Sequence, residues 1–537
     1  MSAVPEFSQE TVTGIMTRAV QQWPDKIFLD FSGMTYSYAD IDQRATRLAN
    51  GMTALGVKRG DRIGTLLDTS LDAVLIWLAV NKLGAIYVPV NAAYKGEFLR
   101  HQFSDAGVEI AFVEPHYFDR IIAIREGLPS LKVVVQRGPE SPVSSAVDAR
   151  RMDDIYGSNE PIEDKNAYSD ISMLIYTGGT TGPSKGCIIS HNYVSNLARQ
   201  TVLNGNRTGD DINWSPLPLF HMNSLGSTIL ASAMVGGRAS LYPRFSVTNF
   251  WPEIERSGAT IANLLGSMIA FVAEAPETEV SKRCFGQLRA VRGSPFSAEM
   301  QTKWKERFGV QVAGSNVYGQ TEACIVTSLT DDIDAKPGSS GKRNAYFDVR
   351  IVDEDDNELL ANSPGEIILR PRFAHIMMEG YWGRPAETLK IMKNLWLHTG
   401  DIGMFDEDGF FYFVDRKKDY LRRRGENISS YELETTFRAH PAVEDVAVHA
   451  VHSETSEDEV KATIVLKADV GPEVTPEHMC AWSVDRLPYF AVPRFIEFRQ
   501  DLPRNPVGRV LKYVLRDEGQ TPDTWDREEA GFKLDKR

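Results

Sequence analysis

Cysteine is scarce in this chain. Cys187, Cys284, Cys324 and Cys480 are spread over 537 residues with no Cys-x-x-Cys pair. That argues against a disulfide framework and a zinc ribbon, and favours a reducing compartment. Long apolar runs are missing too. The strongest, Leu71 to Val80, contains Asp72 and is too short to cross a bilayer. The opening MSAVPEFSQE has neither a basic n-region nor an apolar h-region, and the closing KLDKR carries no retention or lipidation signal. A soluble, cytoplasmic protein with no membrane partner is expected. Positive charge is also in deficit, with 59 basic against 73 acidic residues and a net charge of −14. Bulk nucleic-acid binding needs a basic surface and is therefore disfavoured. An anionic substrate would have to meet a local cationic patch. There is no internal repeat and no low-complexity tract.

What is present is an ordinary globular composition, 42% hydrophobic and 25% charged. At roughly 150 residues per domain the length allows two to four domains. The first third alternates helix and strand. Helices are expected at Tyr38 to Leu55, Leu71 to Leu83, Glu97 to Phe103 and Phe118 to Glu126. Strands are expected at Arg62 to Leu67, Ala85 to Val90 and Glu109 to Val113. Such alternation builds parallel sheets covered by helices, an α/β class. Trp251 to Gly258 and Ile261 to Ala273 also read as helices. From about residue 340 to 414 short alternating strands and Asp/Gly turns describe an antiparallel β-subdomain. At Arg416 to Arg424 seven of nine residues are charged, and a compact α+β segment follows. The division is therefore a large domain over 1–415, a hinge, and a small domain over 416–537.

The stretch YTGGTTGPSKG, Tyr176 to Gly186, concentrates glycines, hydroxyls and a lysine, the means of holding phosphate. It is not a P-loop, because Lys185 lacks the required spacing. Gly182-Pro-Ser-Lys-Gly186 matches a nucleophile elbow literally. That elbow needs a strand straight into Ser184 and a helix straight out, whereas Gly186 to Ser190 reads as more strand. Further along, Pro216-Leu-Pro-Leu-Phe-His221 is a Pro-bounded loop ending in a histidine. Val317-Tyr-Gly-Gln-Thr-Glu322 gathers an aromatic face for a base, a hydroxyl for phosphate and a carboxylate for magnesium. Leu397-His-Thr-Gly-Asp401 offers an acid to ribose hydroxyls. Leu502 to Lys512 is a Pro/Gly-rich loop carrying cations.

Together and in this order, these segments resemble the adenylate-forming enzymes: acyl-CoA synthetases, aminoacyl-adenylating domains and beetle luciferases. The family's phosphate loop reads Tyr-Thr-Ser-Gly-Thr-Thr-Gly-x-Pro-Lys-Gly. Arg422-Arg-Arg-Gly-Glu-Asn-Ile-Ser429 and Tyr431-Glu-Leu-Glu434 look most like acyl-CoA ligases of the carnitine/crotonobetaine-CoA ligase kind. The resemblance implies a large domain of layered α/β subdomains with a small β-barrel-like subdomain, and a small mobile α+β C-terminal domain pivoting near Lys418. It implies ATP, CoA and Mg2+ as cofactors, a carboxylic acid as substrate, and two half-reactions. The acid becomes acyl-AMP with release of pyrophosphate, and the acyl group then passes to CoA.

By the same resemblance, Thr177, Gly178, Gly179, Thr180, Thr181 and Lys185 cradle the outer phosphates. Tyr318, flanked by Asn316 and Gly319, lies against adenine. Asp401 and Arg416 bind ribose. Thr321 and Glu322 serve the α-phosphate and the metal. Gly425 lines the pantetheine tunnel, and Arg422 and Arg424 meet CoA phosphates. His221, Met222, Asn223, Gly293 and Ser294 surround the acyl group, with Leu225, Leu264, Leu265 and Ile269 as apolar lining. Three positions depart from the family pattern. Gly178 replaces a serine, Pro183-Ser184 replaces x-Pro, and Arg509 stands where an adenylation lysine is usual. Either Arg509 takes that role or Lys512 reaches in, the expectation being Arg509 with Lys512 assisting. The alternatives are a carrier-protein-loading enzyme and a serine esterase using Ser184. No nucleic-acid partner is expected, and a homodimer is.

Overall fold

The computed structural model describes residues 7–140, 142, 144–179, 182–293, 296, 298–314, 317–331, 336–416, 420–423, 426–452, 458–468, 470–504 and 510–534. Two seven-stranded sheets form the body of the large module. In the first, Asp148–Arg151, Val133–Gln136, Ile110–Val113, Arg62–Leu66, Ile86–Pro89 and Ile171–Gly179 run parallel in that spatial order. The antiparallel strand Gly182–Ser190 closes its edge. The second sheet is ordered Val312–Ala313, Ala290–Arg292, Ile261–Asn263, Ile212–Ser215, Arg238–Leu241, Ile27–Phe31 and Met34–Ser37, all parallel but for the last pairing.

Helices pack between and around these sheets. Leu71–Lys82 is apolar nearly all round, and Val74, Ile76, Trp77 and Val80 are fully buried. A helix apolar on every face belongs in a core, not on a surface. Its one buried amide, Asn81, donates to Trp77 O at 2.7 Å and accepts from Ser172 Oγ at 2.7 Å. The polar group is thereby satisfied, which burial demands.

The β-rich part comes in two pieces. A three-stranded sheet (Val317–Gln320, Cys324–Ser328, Lys342–Arg343) precedes a five-stranded antiparallel one (Phe347–Val352, Gly365–Pro371, Met392–Lys393, Trp396–Phe405, Phe411–Arg416). It thus begins some twenty residues earlier than the composition change suggests. The C-terminal module carries Val443–His452, Asp458–Leu466, Phe495–Arg499 and Trp525–Asp526 in one sheet, with the hairpin Tyr420–Arg423/Glu426–Ser429 and helices Ser430–Arg438, Pro476–Val484 and Lys512–Glu518.

Two sequence expectations need correction. Ile261 to Ala273 is not one helix: Ile261–Asn263 is a central strand, and the helix is Gly266–Glu274. A short apolar run buried on both faces of a parallel sheet has no periodicity to separate it from a buried helix. Phe118 to Glu126 also divides, into a helix Phe118–Ala123 and a tighter turn Arg125–Gly127.

Candidate active site

The phosphate-loop segment is the turn of an antiparallel hairpin at the sheet's edge. Tyr176 pairs with Gly186, Thr177 with Lys185 and Gly179 with Gly182. Ser184 therefore lies within a strand, and no helix leaves it, so the elbow geometry an esterase needs is absent at Ser184. The segment Met378 to Trp382 runs along the hairpin's outer strand, through Glu379 N–H to Ile188 O at 2.9 Å and Trp382 N–H to Gly186 O at 2.8 Å. It carries Tyr381 to the loop.

Glu322 is the focus of this cluster. Its Oε1 accepts from Thr177 Oγ1 at 3.2 Å and from the Tyr381 hydroxyl at 2.9 Å. Lys185 Nζ pairs with Glu387 Oε2 at 3.2 Å and lies 5.2 Å from the centre of the Tyr381 ring. Behind the loop, Tyr176 donates to Asp105 at 2.9 Å, and Arg384 holds the same carboxylate at 2.7 Å. Burial, with the Asp105 charge, raises the Tyr176 hydroxyl well above its ordinary range, so it stays a donor.

Tyr318 is buried, and its hydroxyl donates to Asp401 Oδ2 at 2.7 Å. Its ring centre lies 5.0 Å from Phe411 and 6.3 Å from Phe413. Asp401 is aimed by a local turn, in which its N–H donates to Thr399 Oγ1 at 3.1 Å and Gly400 takes φ +72°. Arg416 stands opposite Asp401 on the neighbouring strand. Gly319 has to be glycine, because a Cβ there would sit 2.1 Å from Cys324 O. Thr321 is tied by its carbonyl, which accepts from the Tyr193 hydroxyl at 2.9 Å. The structure thus forms two polar clusters, one of Thr177, Tyr381 and Glu322 with Lys185 beside Tyr381 and one of Tyr318 with Asp401, at the two ends of residues 318–322.

The residues expected around the acyl group are built differently. His221 ends the Pro-bounded loop, and the next turns, Ser224–Leu230, are wound as a π-helix, a winding frequent at functional sites. Met222 is half-buried, Asn223 exposed and Ser224 buried. Gly293 packs so closely that a Cβ would meet Ile269 Cδ1 at 2.5 Å. Leu225, Leu264 and Ile269 are buried in hydrophobic cores, and Leu264 and Ile269 pack against Gly293.

The C-terminal module packs against this part of the large module. Phe98 of the large module is packed into the module's core with Leu421, Ile428, Leu433 and Phe437. His221 Nε2 meets Glu426 Oε1 at 3.1 Å. Glu432 Oε1 accepts from the Ser184 N–H at 2.9 Å. Burial, with Glu97 adding to it, pushes the Glu432 carboxyl up to about 7, against the lowering effect of the Ser184 donors. Lys512 points elsewhere. Its Nζ reaches Glu434 Oε1 at 2.5 Å and Ser430 Oγ at 2.8 Å. Residues 430 and 434 share a helix face, and 432 lies on the opposite one. Lys512 is therefore not among the groups the structure gathers at the loop. Arg423, in the basic cluster, is buried and spends its guanidinium on Phe490 O, Val492 O and Glu459. Thr180, Thr181, Ser294, Asn316, Lys418, Arg424, Gly425 and Arg509 lie outside the described residues, and Arg416 and Arg422 are placed by their strands alone.

Tyr381, Glu387, Glu426 and Glu432 were not singled out from sequence. The run Glu379-Gly-Tyr-Trp382 carried a signal for Tyr381, and Tyr431-Glu-Leu-Glu434 one for Glu432.

Fold and site together define a two-module nucleotide enzyme. A sequence model of the AMP-binding enzymes matches residues 16–382, and one of the AMP-binding enzyme C-terminal domain matches 432–509. The chain belongs to the AMP-binding enzyme family. It is 28% identical over 495 residues to a crotonobetaine/carnitine–CoA ligase of Salmonella arizonae, covering 90% of this chain and 93% of that one. Among solved structures, o-succinylbenzoate CoA synthetase from Bacillus subtilis with a product analogue superposes at a TM-score of 0.80, with 25% identity, 94% of this chain and 98% of that one. ATP-bound MatB from Rhodopseudomonas palustris gives 0.68 at 26% identity, with 95% and 99% covered. Among the described residues no helix is long and apolar enough to cross a membrane.

Proposed function

We propose that this enzyme is an ATP-dependent acyl-CoA ligase. A carboxylate oxygen attacks the α-phosphorus of ATP, the bond to pyrophosphate breaks, and acyl-AMP forms. The thiol sulfur of CoA then attacks the acyl carbon, AMP leaves, and the thiol proton is lost to solvent. The observation that carries this reading is the convergence of Thr177, Lys185 and Glu322 at the hairpin turn, with the Tyr318–Asp401 pair at the other end of residues 318–322. Hydroxyls, a cation and backbone donors suit phosphates, and an aromatic face beside a fixed carboxylate suits a nucleoside.

A single carboxylate among hydroxyls is also what Mg2+ accepts from protein when phosphates and water complete its shell, so Glu322 fits the role of holding it. The metal would neutralise charge on the phosphates. With Lys512 engaged by Glu434, the cation of the first step is assigned to Arg509. Lys512 then shapes the helix that carries Glu432. The docked C-terminal module supports assigning this arrangement to the thiol-transfer step. Four unpaired, buried cysteines support a reducing, cytoplasmic setting.

The test is to incubate the purified protein with ATP, Mg2+ and a panel of carboxylic acids, with and without CoA. AMP, pyrophosphate and an acyl-CoA are expected from at least one acid. AMP formation that proceeds only when an acyl-carrier protein replaces CoA would transfer the assignment to carrier loading, and formation of neither adenylate nor AMP would remove it.

A further inference from the structure

A hydrogen bond between the hairpin and the C-terminal module uses a residue at which this chain departs from its family pattern. Where that pattern has proline, this chain has Ser184, with Pro183 moved one place earlier. Proline has no N–H to give. Ser184 does, and donates it to Glu432 Oε1 at 2.9 Å, with its hydroxyl directed to the same side chain. Ser184 is itself held in place. Its carbonyl meets His101 Nε2 at 2.8 Å, and its Oγ is 3.3 Å from Gln102 Nε2. Ser184 is buried and Glu432 half-buried, where a hydrogen bond is stronger than at a surface.

We propose that Ser184 and Glu432 form a latch that holds the C-terminal module in the arrangement seen here, making Glu432 a positioning residue for thiol transfer. The functional half of this statement rests on the ligase reading; the conformational half does not. The latch must break for the module to swing to the adenylation arrangement, so it sets the ratio of the two populations. A swapped Pro–Ser pair thereby becomes a device for biasing domain alternation, and the loss of one backbone donor reverses it.

Spin labels on exposed sites of the two modules report the inter-module distance in the full-length protein without substrates. Ser184→Pro and Glu432→Ala should each lower the population at the distance of this structure, by about tenfold relative to the competing one. Ser184→Ala, which keeps the N–H, should lower it less. The double variant Ser184→Pro/Glu432→Ala should be no worse than either single one, since both remove the same bond. Glu432→Ala should also slow thiolysis of supplied acyl-AMP while leaving pyrophosphate exchange in place, a split that general destabilisation would not produce. Unchanged distance distributions in both single variants, or additive losses in the double variant, would overturn the latch. A protein whose distances shift as expected but which forms no adenylate would keep the latch and lose the ligase reading.

Discussion

The polar clusters around Glu322 and Asp401, proposed as the nucleotide wall, and the segments around His221 and Gly293, proposed as the acyl wall, are made by different means. On the nucleotide wall the functional side chains hold one another: Tyr318 on Asp401, Thr177 and Tyr381 on Glu322, Lys185 on Glu387. All but Glu387, which sits in the helix Pro385–Ile391, lie on a strand or beside one. Around His221 and Gly293 the shape comes from packed cores, with Leu225, Leu264 and Ile269 buried, His221, Met222, Leu265 and Gly293 partly open and Asn223 exposed. The difference teaches that one wall is fixed by polar pairing, which tolerates little change, and the other by packing, which can be recut for a different acid.

Substitutions can sharpen or break that contrast. The largest effect is expected at Glu322. Replacing it by Ala leaves two hydroxyls without their acceptor and removes the candidate metal ligand, so pyrophosphate exchange should fall by about 100-fold or more. An exchange rate near wild type would dissolve the nucleotide wall as described. Next comes Leu264→Ala, a core truncation expected to cost about 2–5 kcal/mol of stability. Thermal unfolding should show it. A variant of normal stability with altered acid preference would instead place Leu264 on the pocket surface. Gly319→Ala forces a Cβ onto Cys324 O and should cost about 1–3 kcal/mol, visible as a lowered melting temperature. Asp401→Asn weakens a charge-assisted bond to Tyr318 and should raise KM for ATP by roughly tenfold with a smaller effect on kcat. The smallest stability effect belongs to Asn223→Ala, an exposed change within about 0.5 kcal/mol. Its consequence should appear in the ranking of acids.

The same contrast decides how much could be read beforehand. The nucleotide wall was legible because its residues cluster in short runs: Thr177 to Lys185 in one hairpin, Tyr318 to Glu322 in one turn, Thr399 to Asp401 in another. Local spacing and chemistry sufficed there. Tyr381 and Glu387 were missed because they reach the loop from about 200 residues away, Tyr381 through a β-bridge to Cys187 and Glu387 from the helix Pro385–Ile391, which no local pattern encodes. For the acyl side the sequence offers apolar residues such as Leu225, Leu264 and Ile269, but an apolar residue lining a pocket and one in a core have the same letter, so local pattern cannot assign them. The helix expected over Ile261 to Ala273 failed for a related reason, since a strand covered on both faces shows no alternation. Lys512 was expected near the phosphates as the next cation after Arg509. In three dimensions it is claimed by Glu434, a residue made its neighbour by module packing, not by sequence.

The claim on which the rest depends is that this cleft joins a carboxylate to the α-phosphorus of ATP. The most direct measurement uses an accepted acid with its carboxylate oxygens isotopically labelled, and analyses the AMP released in the presence of CoA by mass spectrometry. The account predicts AMP carrying one labelled oxygen, with pyrophosphate unlabelled. Unlabelled AMP, or ADP and phosphate in its place, would contradict it.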